Sequence, residues 1–273
     1  MDWPNAVVGG MTATWLIRSP VGSSNSIMSR QRLDNALVAR GLAESRSRAQ
    51  DMIRLGDVRI GGKVVTRPAL PVSADAPIEI ADGVGRYVSR GALKLRHALD
   101  HFRLEAAGRC AIDIGASTGG FTELLLERGA ERVYAVDVGR GQLHPRLRAD
   151  PRVVNLERTD ARRLDRVLIP AAVTAVVVDA SFISATLVLP PALALTGPGC
   201  WLVTLVKPQF EAGREAVGKG GIVRDERARG AAVERVAGFL AGQPGWRLAG
   251  VTASPIEGGD GNQEFLLGAC RDA

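Results

Sequence analysis

The chain has only three cysteines (Cys110, Cys200, Cys270) in 273 residues and no C-x-x-C, which leaves no basis for a disulfide framework or a zinc site. They read as buried thiols of a protein kept in the reducing cytoplasm, with no metal expected. No stretch approaches the roughly 18 to 20 apolar residues of a membrane span, and no long segment sets an apolar face against a basic one. Asp2, Pro4 and two glycines stand where a signal peptide would place basic residues ahead of an apolar run. Residues 1–28 are therefore expected to be a disordered extension, and Met28, just before the first periodic segment, an expected natural start.

What is present is 46% hydrophobic and carries a net charge of +6. That is enough to bury one large core, or one core and a small module. The basic balance suits a polyanionic partner only if the charge is concentrated in one place.

The most distinctive stretch is Cys110-Ala-Ile-Asp-Ile-Gly-Ala-Ser-Thr-Gly-Gly-Phe-Thr122. An apolar run ends in Asp113 and Gly115, and an amphipathic segment with Phe121, Leu124, Leu125 and Leu126 follows, which is the pattern of strand, tight loop and helix. Gly115, Gly119 and Gly120 give G-x-x-x-G-G, neither the G-x-G-x-x-G of dinucleotide binders nor the G-K-[ST] of a P-loop. This spacing points to S-adenosylmethionine, with Gly115, Gly119 and Gly120 letting the backbone come close to the ligand and Asp113 able to hold a polar or cationic group. A glycine-rich turn without a ligand is the plain alternative.

Residues 29–80 form a small basic module. Leu33, Ala36, Leu37 and Leu42 recur at helical spacing, and Gly41 ends that helix. Ser45 or Ser47 can cap a second one carrying Ala49, Met52 and Ile53, which Gly56 ends. The period then changes to that of a hairpin, Val58, Ile60, Gly61-Gly62, Val64, with a further short strand at Ile78–Ile80. Positive charge gathers here as Arg46, Arg48 and Arg54 on the second helix and Arg59, Lys63 and Arg67 on the hairpin. Arg32-Leu-Asp, Ser45-Arg-Ser-Arg-Ala-Gln50 and Ile53-Arg-x-Gly-x-Val-x-Ile-x-Gly62 resemble the S4 RNA-binding domain. The resemblance implies recognition of structured RNA through shape and phosphates by Arg32, Arg46, Arg48, Arg54, Lys63 and Arg67, since the segment has no aromatic residue for stacking.

Residues 81–88 read as a linker and 89–273 as a second domain. Beyond the glycine loop, apolar strands alternate with helical segments, as in a parallel, doubly wound sheet, and the last two strands are close enough for an antiparallel return. Ligands of such sheets bind at the carboxyl ends of the strands. Asp137 ends the second strand, beside Val138, where a carboxylate can take both hydroxyls of a ribose; on position alone it suits NAD as well as S-adenosylmethionine. Asp160 follows the third strand and could contact adenine, or could simply pair with Arg162 or Arg163. Asp179 and Lys207 end the fourth and fifth strands, where a partly desolvated lysine could act as a general base.

With Lys94 in Ser-Arg-Gly-Ala-Leu-Lys-Leu and Glu264 in Gly261-Asn-Gln-Glu-Phe-Leu, these residues resemble the Lys-Asp-Lys-Glu tetrad of FtsJ-like ribose 2′-O-methyltransferases. The runs Val206-Lys-Pro-Gln-Phe-Glu-Ala-Gly213 and Gly218-Lys-Gly-Gly-Ile-Val-Arg-Asp225, behind an S4 module, resemble the TlyA family, named both as haemolysins and as rRNA methyltransferases. The resemblance implies a Rossmann-like α/β domain with a seven-stranded, mostly parallel sheet behind a small α+β S4 domain. It also implies Lys94, Asp179, Lys207 and Glu264 as catalytic residues, the Asp113–Phe121 loop (Asp113, Gly115, Ala116, Ser117, Gly119, Gly120, Phe121) with Asp137 as cofactor contacts, S-adenosylmethionine as cofactor and ribosomal RNA or a ribosomal subunit as partner. No membrane and no obligate protein partner are expected. Glu257 is an alternative acid that fits the Gly-Asn-x-Glu pattern less well. The chain departs from the family in its linker, where Arg86-Tyr-Val lacks a residue between the arginine and the aromatic. A non-catalytic RNA-binding assembly factor and a membrane-lytic protein are the competing classes.

Overall fold

The computed structural model describes residues 15–17, 30–43, 45–54, 56–81, 87–258 and 261–272, and the chain divides into two units between Arg86 and Tyr87. In the first unit the elements are β1 (Trp15–Ile17), β2 (Gln31–Arg32), α1 (Leu33–Ala39), α2 (Arg46–Arg54), β3 (Val58–Ile60), β4 (Lys63–Val64), β5 (Pro71–Val72) and β6 (Ile78–Ala81). Leu33, Ala36 and Leu37 of α1 and Ala49, Met52 and Ile53 of α2 meet in one core with Val58, Val72 and Ile78. The Ser45 hydroxyl accepts a hydrogen bond from Arg48 N (3.2 Å) and so caps α2. Gly61 and Gly62 both have positive φ (56° and 76°), the conformation that a two-residue hairpin turn requires between β3 and β4.

Two expected boundaries change. Within the expected disordered extension, Trp15–Ile17 is a strand that pairs antiparallel with β6, Leu16 opposite Ile80. It takes up the backbone groups of an edge that β6 would otherwise leave open. The rest of 1–28, Met28 included, lies outside the described residues. Of the expected linker, Ala81 ends β6, residues 82–86 lie outside the described residues, and Tyr87 and Val88 are buried in the second unit. The Val88 N–H donates to Glu123 Oε2 (2.6 Å), so an apolar pair that looks like the end of a linker is the first fixed point of the second core.

The second unit runs α3 (Gly91–Phe102), β7 (Cys110–Ile114), α4 (Gly120–Glu127), β8 (Arg132–Asp137), α5 (Pro145–Arg148), β9 (Val153–Glu157), β10 (Val173–Val178), α6 (Ala185–Ala194), β11 (Thr196–Val206), α7 (Pro208–Glu211), α8 (Glu226–Ala241), β12 (Trp246–Ala253) and β13 (Phe265–Arg271). Its seven-stranded sheet has the order β12-β13-β11-β10-β7-β8-β9. β9, β8, β7, β10 and β11 are parallel, and β13 runs antiparallel between β11 and β12. Strand residues alternate between two cores. Ala111, Ala135, Val177 and Val203 pack with α3 and α4, whereas Ile112, Val136, Val176 and Leu202 pack with α6 and α8. This two-residue period explains why the buried strands read as continuous apolar runs. Among the described residues no helix is long and apolar enough to cross a membrane.

β7 and its neighbour β10 form the switch point of the sheet, where a crevice opens at the carboxyl ends of the strands. Asp113 lies one turn of the pleat below it, on the α4 side, with no exposure to solvent. The Thr122 hydroxyl of α4 donates to its Oδ2 (2.6 Å), and Oδ1 accepts no hydrogen bond among the described residues. Burial pushes its carboxyl up to about 7, partly opposed by the Thr122 hydrogen bond. A carboxyl raised on folding holds its proton in the native state between its unfolded value, near 4, and about 7, so its contribution to stability is lost as pH rises through that window. Asp113→Asn is isosteric with the protonated acid and is expected to flatten the fall in stability from pH 5 to pH 8. Thermal unfolding at both pH values checks this; equal slopes for the two proteins would remove the assignment.

Candidate active site

A cleft of about 490 Å³ opens at the switch point. Its floor is the glycine loop, represented by Ile114, Gly115 and Ser117. One wall carries Asp137, Val138, Asp160 and Arg162, and the other Asp179, Ser181 and Phe182. Gly115 has φ 81°, and a Cβ there would fall 2.7 Å from the Asp179 carbonyl oxygen, so only glycine lets β7 turn so tightly against the end of β10.

The other loop residues take different places. Gly119 and Gly120 do not line the cleft; a Cβ on Gly119 would meet Leu147 Cδ1 at 2.3 Å, and one on Gly120 would meet Ser89 Oγ at 2.0 Å. Their small size serves the packing of the α4 start against α5 and the chain leading to α3. Ala116 and Phe121 are buried in the same core, and Asp113 sits behind the loop as an anchor of α4. Of the seven loop residues expected near a ligand, Gly115 and Ser117 line the cleft and the other five do not. At Ser117, φ is 47° and its N–H donates to Asp137 Oδ2 (2.8 Å).

Asp137 accepts a second backbone hydrogen bond at Oδ1, from Gly139 N (2.7 Å). Its carboxylate is thus fixed in orientation while each oxygen keeps a further lone pair, enough for two ribose hydroxyls. Val138, at 74% exposure, offers an apolar surface beside it. Asp160 accepts from Arg162 through its backbone N and its guanidinium, with contacts of 2.7 to 3.1 Å. The Arg162 hydrogen bond holds its carboxyl down at about 2. It is an ion pair, as its neighbours suggested, and one that lies on the cleft wall. The wall thus sets two oriented carboxylates, both hydrogen-bond acceptors, beside an exposed apolar side chain.

The four residues implied as catalytic form two pairs. Lys207 Nζ lies 2.6 Å from Asp179 Oδ1 as an ion pair and donates to Ser181 Oγ (2.8 Å). Lys94 Nζ, from the first turns of α3, donates to Glu264 Oε2 (2.5 Å). Both lysines and Glu264 are buried. A Cβ on Gly258 would fall 2.5 Å from Glu264 Oε1, so bare backbone makes room for that carboxylate. Val206 and Phe265 are partners across β11 and β13, and Lys207 and Glu264 come next in the same register, which sets the two pairs at one end of the sheet. Asp179 belongs to the cleft wall as well as to its pair.

Some functional candidates carry no motif. Phe182 is 90% exposed, has φ 66°, and tilts against Phe210 with ring centroids 5.2 Å apart; an exposed, strained aromatic on a cleft wall points to a function. Ser181 completes the Lys207 environment. The only sequence signal for either is adjacency to Asp179. In the first unit, Arg32 (3.0 and 2.8 Å) and Arg46 (3.2 Å) both donate to Asp34, a carboxylate with no exposure that also accepts from Gln50 (2.9 Å). The Arg32 hydrogen bonds above all hold Asp34 far below the usual carboxylate range. Lys63 and Arg67 are exposed and Arg48 is half-buried; the Arg54 side chain lies outside the described residues.

Residues 87–271 match the FtsJ-like methyltransferase family and residues 31–78 the S4 domain. The chain is 49% identical over 239 residues to the 16S/23S rRNA (cytidine-2′-O)-methyltransferase TlyA of Mycobacterium tuberculosis, covering 87% of this chain and 89% of the relative. It is 40% identical to Hemolysin A of Brachyspira hyodysenteriae, covering 86% and 98%. A solved structure of a haemolysin-named protein from Streptococcus thermophilus is 39% identical and superposes over 90% of each chain with a TM-score of 0.69. With an S4 domain ahead of a methyltransferase sheet and the cleft at its switch point, the chain belongs to the TlyA family of rRNA 2′-O-methyltransferases.

Proposed function

We propose that the cleft binds S-adenosylmethionine and that the Lys207–Asp179 pair on its wall directs methyl transfer to the ribose 2′-hydroxyl of a cytidine in ribosomal RNA. The observation that carries this reading is that Asp179 is shared between a nucleoside-sized cleft and a buried lysine. Cytidine as the acceptor is supported by the names of two relatives, the mycobacterial one and the 23S rRNA (cytidine-2′-O)-methyltransferase TlyA of Campylobacter jejuni, 36% identical over 186 residues.

S-adenosylmethionine, when bound, supplies an electrophilic methyl on a sulfonium sulfur. Asp137 would accept both of its ribose hydroxyls, Val138 and Ala161 would flank its adenine, and the Gly115–Ser117 backbone would lie along its methionine end. On the acceptor side, Lys207, as the neutral amine once its own extra proton has passed to solvent, would take the proton from the 2′-oxygen as that oxygen bonds to the methyl carbon and the methyl–sulfur bond breaks to leave a neutral thioether. Lys207 is surrounded by Asp179 Oδ1, Ser181 Oγ and, at 3.4 Å, the Asp179 carbonyl, so it must release one of these acceptors when the ribose arrives. Lys94 and Glu264, paired next to it, hold the ribose and keep the second cation in place. The transfer is in line, so positioning supplies much of the rate. The exposed ring of Phe182 offers a face on which the acceptor base can stack outside a helix.

Lys207→Ala is expected to bind S-adenosylmethionine as tightly as the unmodified protein by calorimetry and to transfer no radiolabelled methyl to ribosomal subunits. Turnover comparable to wild type in that variant would remove the proposed base. The product is checked by alkaline cleavage of rRNA from cells with and without the protein, since a 2′-O-methyl blocks cleavage at its own linkage. If no protected position appears, the assembly-factor reading gains. Phe182→Ala is expected to raise KM for ribosomal subunits about tenfold with Phe182→Tyr near wild type, measured by steady-state methyl transfer; equal KM values for Ala and Tyr would sink the stacking role.

A further inference from the structure

The segment from Gly213 to Arg224, between α7 and α8, contains the Gly-Lys-Gly-Gly-Ile-Val-Arg run, to which the site gives no role. Three of its glycines have positive φ, at 213, 220 and 221, so its sequence reads as loose coil. Contacts on both sides hold it beside the active site. At its start, α7 follows Lys207 directly and Phe210 lies against Phe182. Glu211, buried at 3% exposure, accepts from the Ser184 hydroxyl (2.6 Å) and from Ala185 N (2.7 Å), joining α7 to the start of α6. At the other end Asn262, fully buried and two residues ahead of Glu264, accepts from Val223 N (3.0 Å) and donates to the Gly221 carbonyl (2.9 Å). Either buried group would be costly to leave without these partners, so the coil is fixed at the edge where Lys207 and Glu264 stand.

What the fixed coil displays is charge. Arg214, Lys219 and Arg224 are exposed, and none forms an ion pair among the described residues. Glu215 is the one carboxylate between Gly213 and Arg224. The adjoining Asp225 is engaged as the cap of α8, accepting from Arg227 N (2.9 Å). Long basic side chains on a rigid, glycine-rich backbone suit the spaced anions of a sugar–phosphate chain, with no aromatic group to add base preference.

We propose that the Gly213–Arg224 coil is a second RNA-contact surface, separate from the S4 domain, that grips the phosphodiester backbone flanking the acceptor nucleotide. This rests on the reading of the cleft as a site of ribose methylation. Its role is to hold the strand on either side of the acceptor while Lys207 and Asp179 engage the ribose, so its energy is electrostatic and independent of sequence.

The test uses the full chain, unmethylated large ribosomal subunits as probe, and the double variant Lys219→Gln/Arg224→Gln, whose exposed side chains leave the core untouched. The slope of log affinity against log salt is expected to become shallower by about one unit per lost phosphate contact, with KM for subunits raised about tenfold and S-adenosylmethionine affinity by calorimetry unchanged. A slope and KM equal to wild type would overturn the proposal. So would a variant whose defect is confined to binding of anionic phospholipid vesicles, which would assign the surface to a lipid. Failure of the methylation reading is seen separately, as wild-type protein that binds subunits but transfers no methyl; the salt slope reports on the coil in either case.

Discussion

The backbone of Gly115 presses against that of Asp179 at the switch point of the sheet, so closely that a single methyl group would fall 2.7 Å from the Asp179 oxygen. Everything chemical about the second domain is referred to this contact. On one side of it the glycine loop turns its backbone to Asp137, and on the other Asp179 turns its carboxylate to Lys207. In the proposed reaction the donor and acceptor halves would therefore be registered to each other by one backbone approach between neighbouring parallel strands. For a transfer that depends on in-line geometry, such a short connection leaves little room for misalignment.

The two lysine–carboxylate pairs are not economical sources of stability. Desolvating charges offsets much of their attraction, and an apolar replacement of equal volume is often neutral or stabilising. Their value is in fixing where each amine points. Lys94 comes from α3, Glu264 from the residue before β13, Asp179 from the end of β10 and Lys207 from the end of β11, so the pairs tie four separate elements together at one end of the sheet. Glu211 and Asn262 extend the same logic outward, each using a buried polar group on the backbone of a neighbouring loop. A loose constellation becomes a rigid one because no member can move without leaving a buried partner unsatisfied.

Much of this was legible in the chain. Polar residues that close apolar strands, Asp137, Asp179 and Lys207, are anomalous against a buried sheet, and the anomaly marks the carboxyl ends where a ligand sits. Lys94 and Glu264 carry no such signal, since one lies on a helix and the other ahead of an edge-proximal strand; only the resemblance to a family singled them out. The glycine loop was legible as a turn but not residue by residue. Spacing cannot tell Gly115, which meets Asp179, from Gly120, which meets Ser89, because the difference lies in neighbours distant in sequence. The same limit hid the strand at Trp15–Ile17, whose partner is β6, and made Tyr87 and Val88 look like linker when both belong to a core assembled from later residues.

In the first domain a buried charge is used for a different end. Asp34 is one carboxylate among Arg32, Arg46 and Gln50, and the side chains of the two arginines remain about half exposed, at 43% and 56%. A single internal anion thus orients two cations whose outer faces stay available, leaving a net positive charge at a defined position on the surface. Positive charge placed in this way contributes affinity for phosphate without reading a base, and it loses less side-chain entropy on binding than free lysines would. Two cations held this rigidly present a fixed spacing of charge, which is the same constraint that governs the lysines of the second domain.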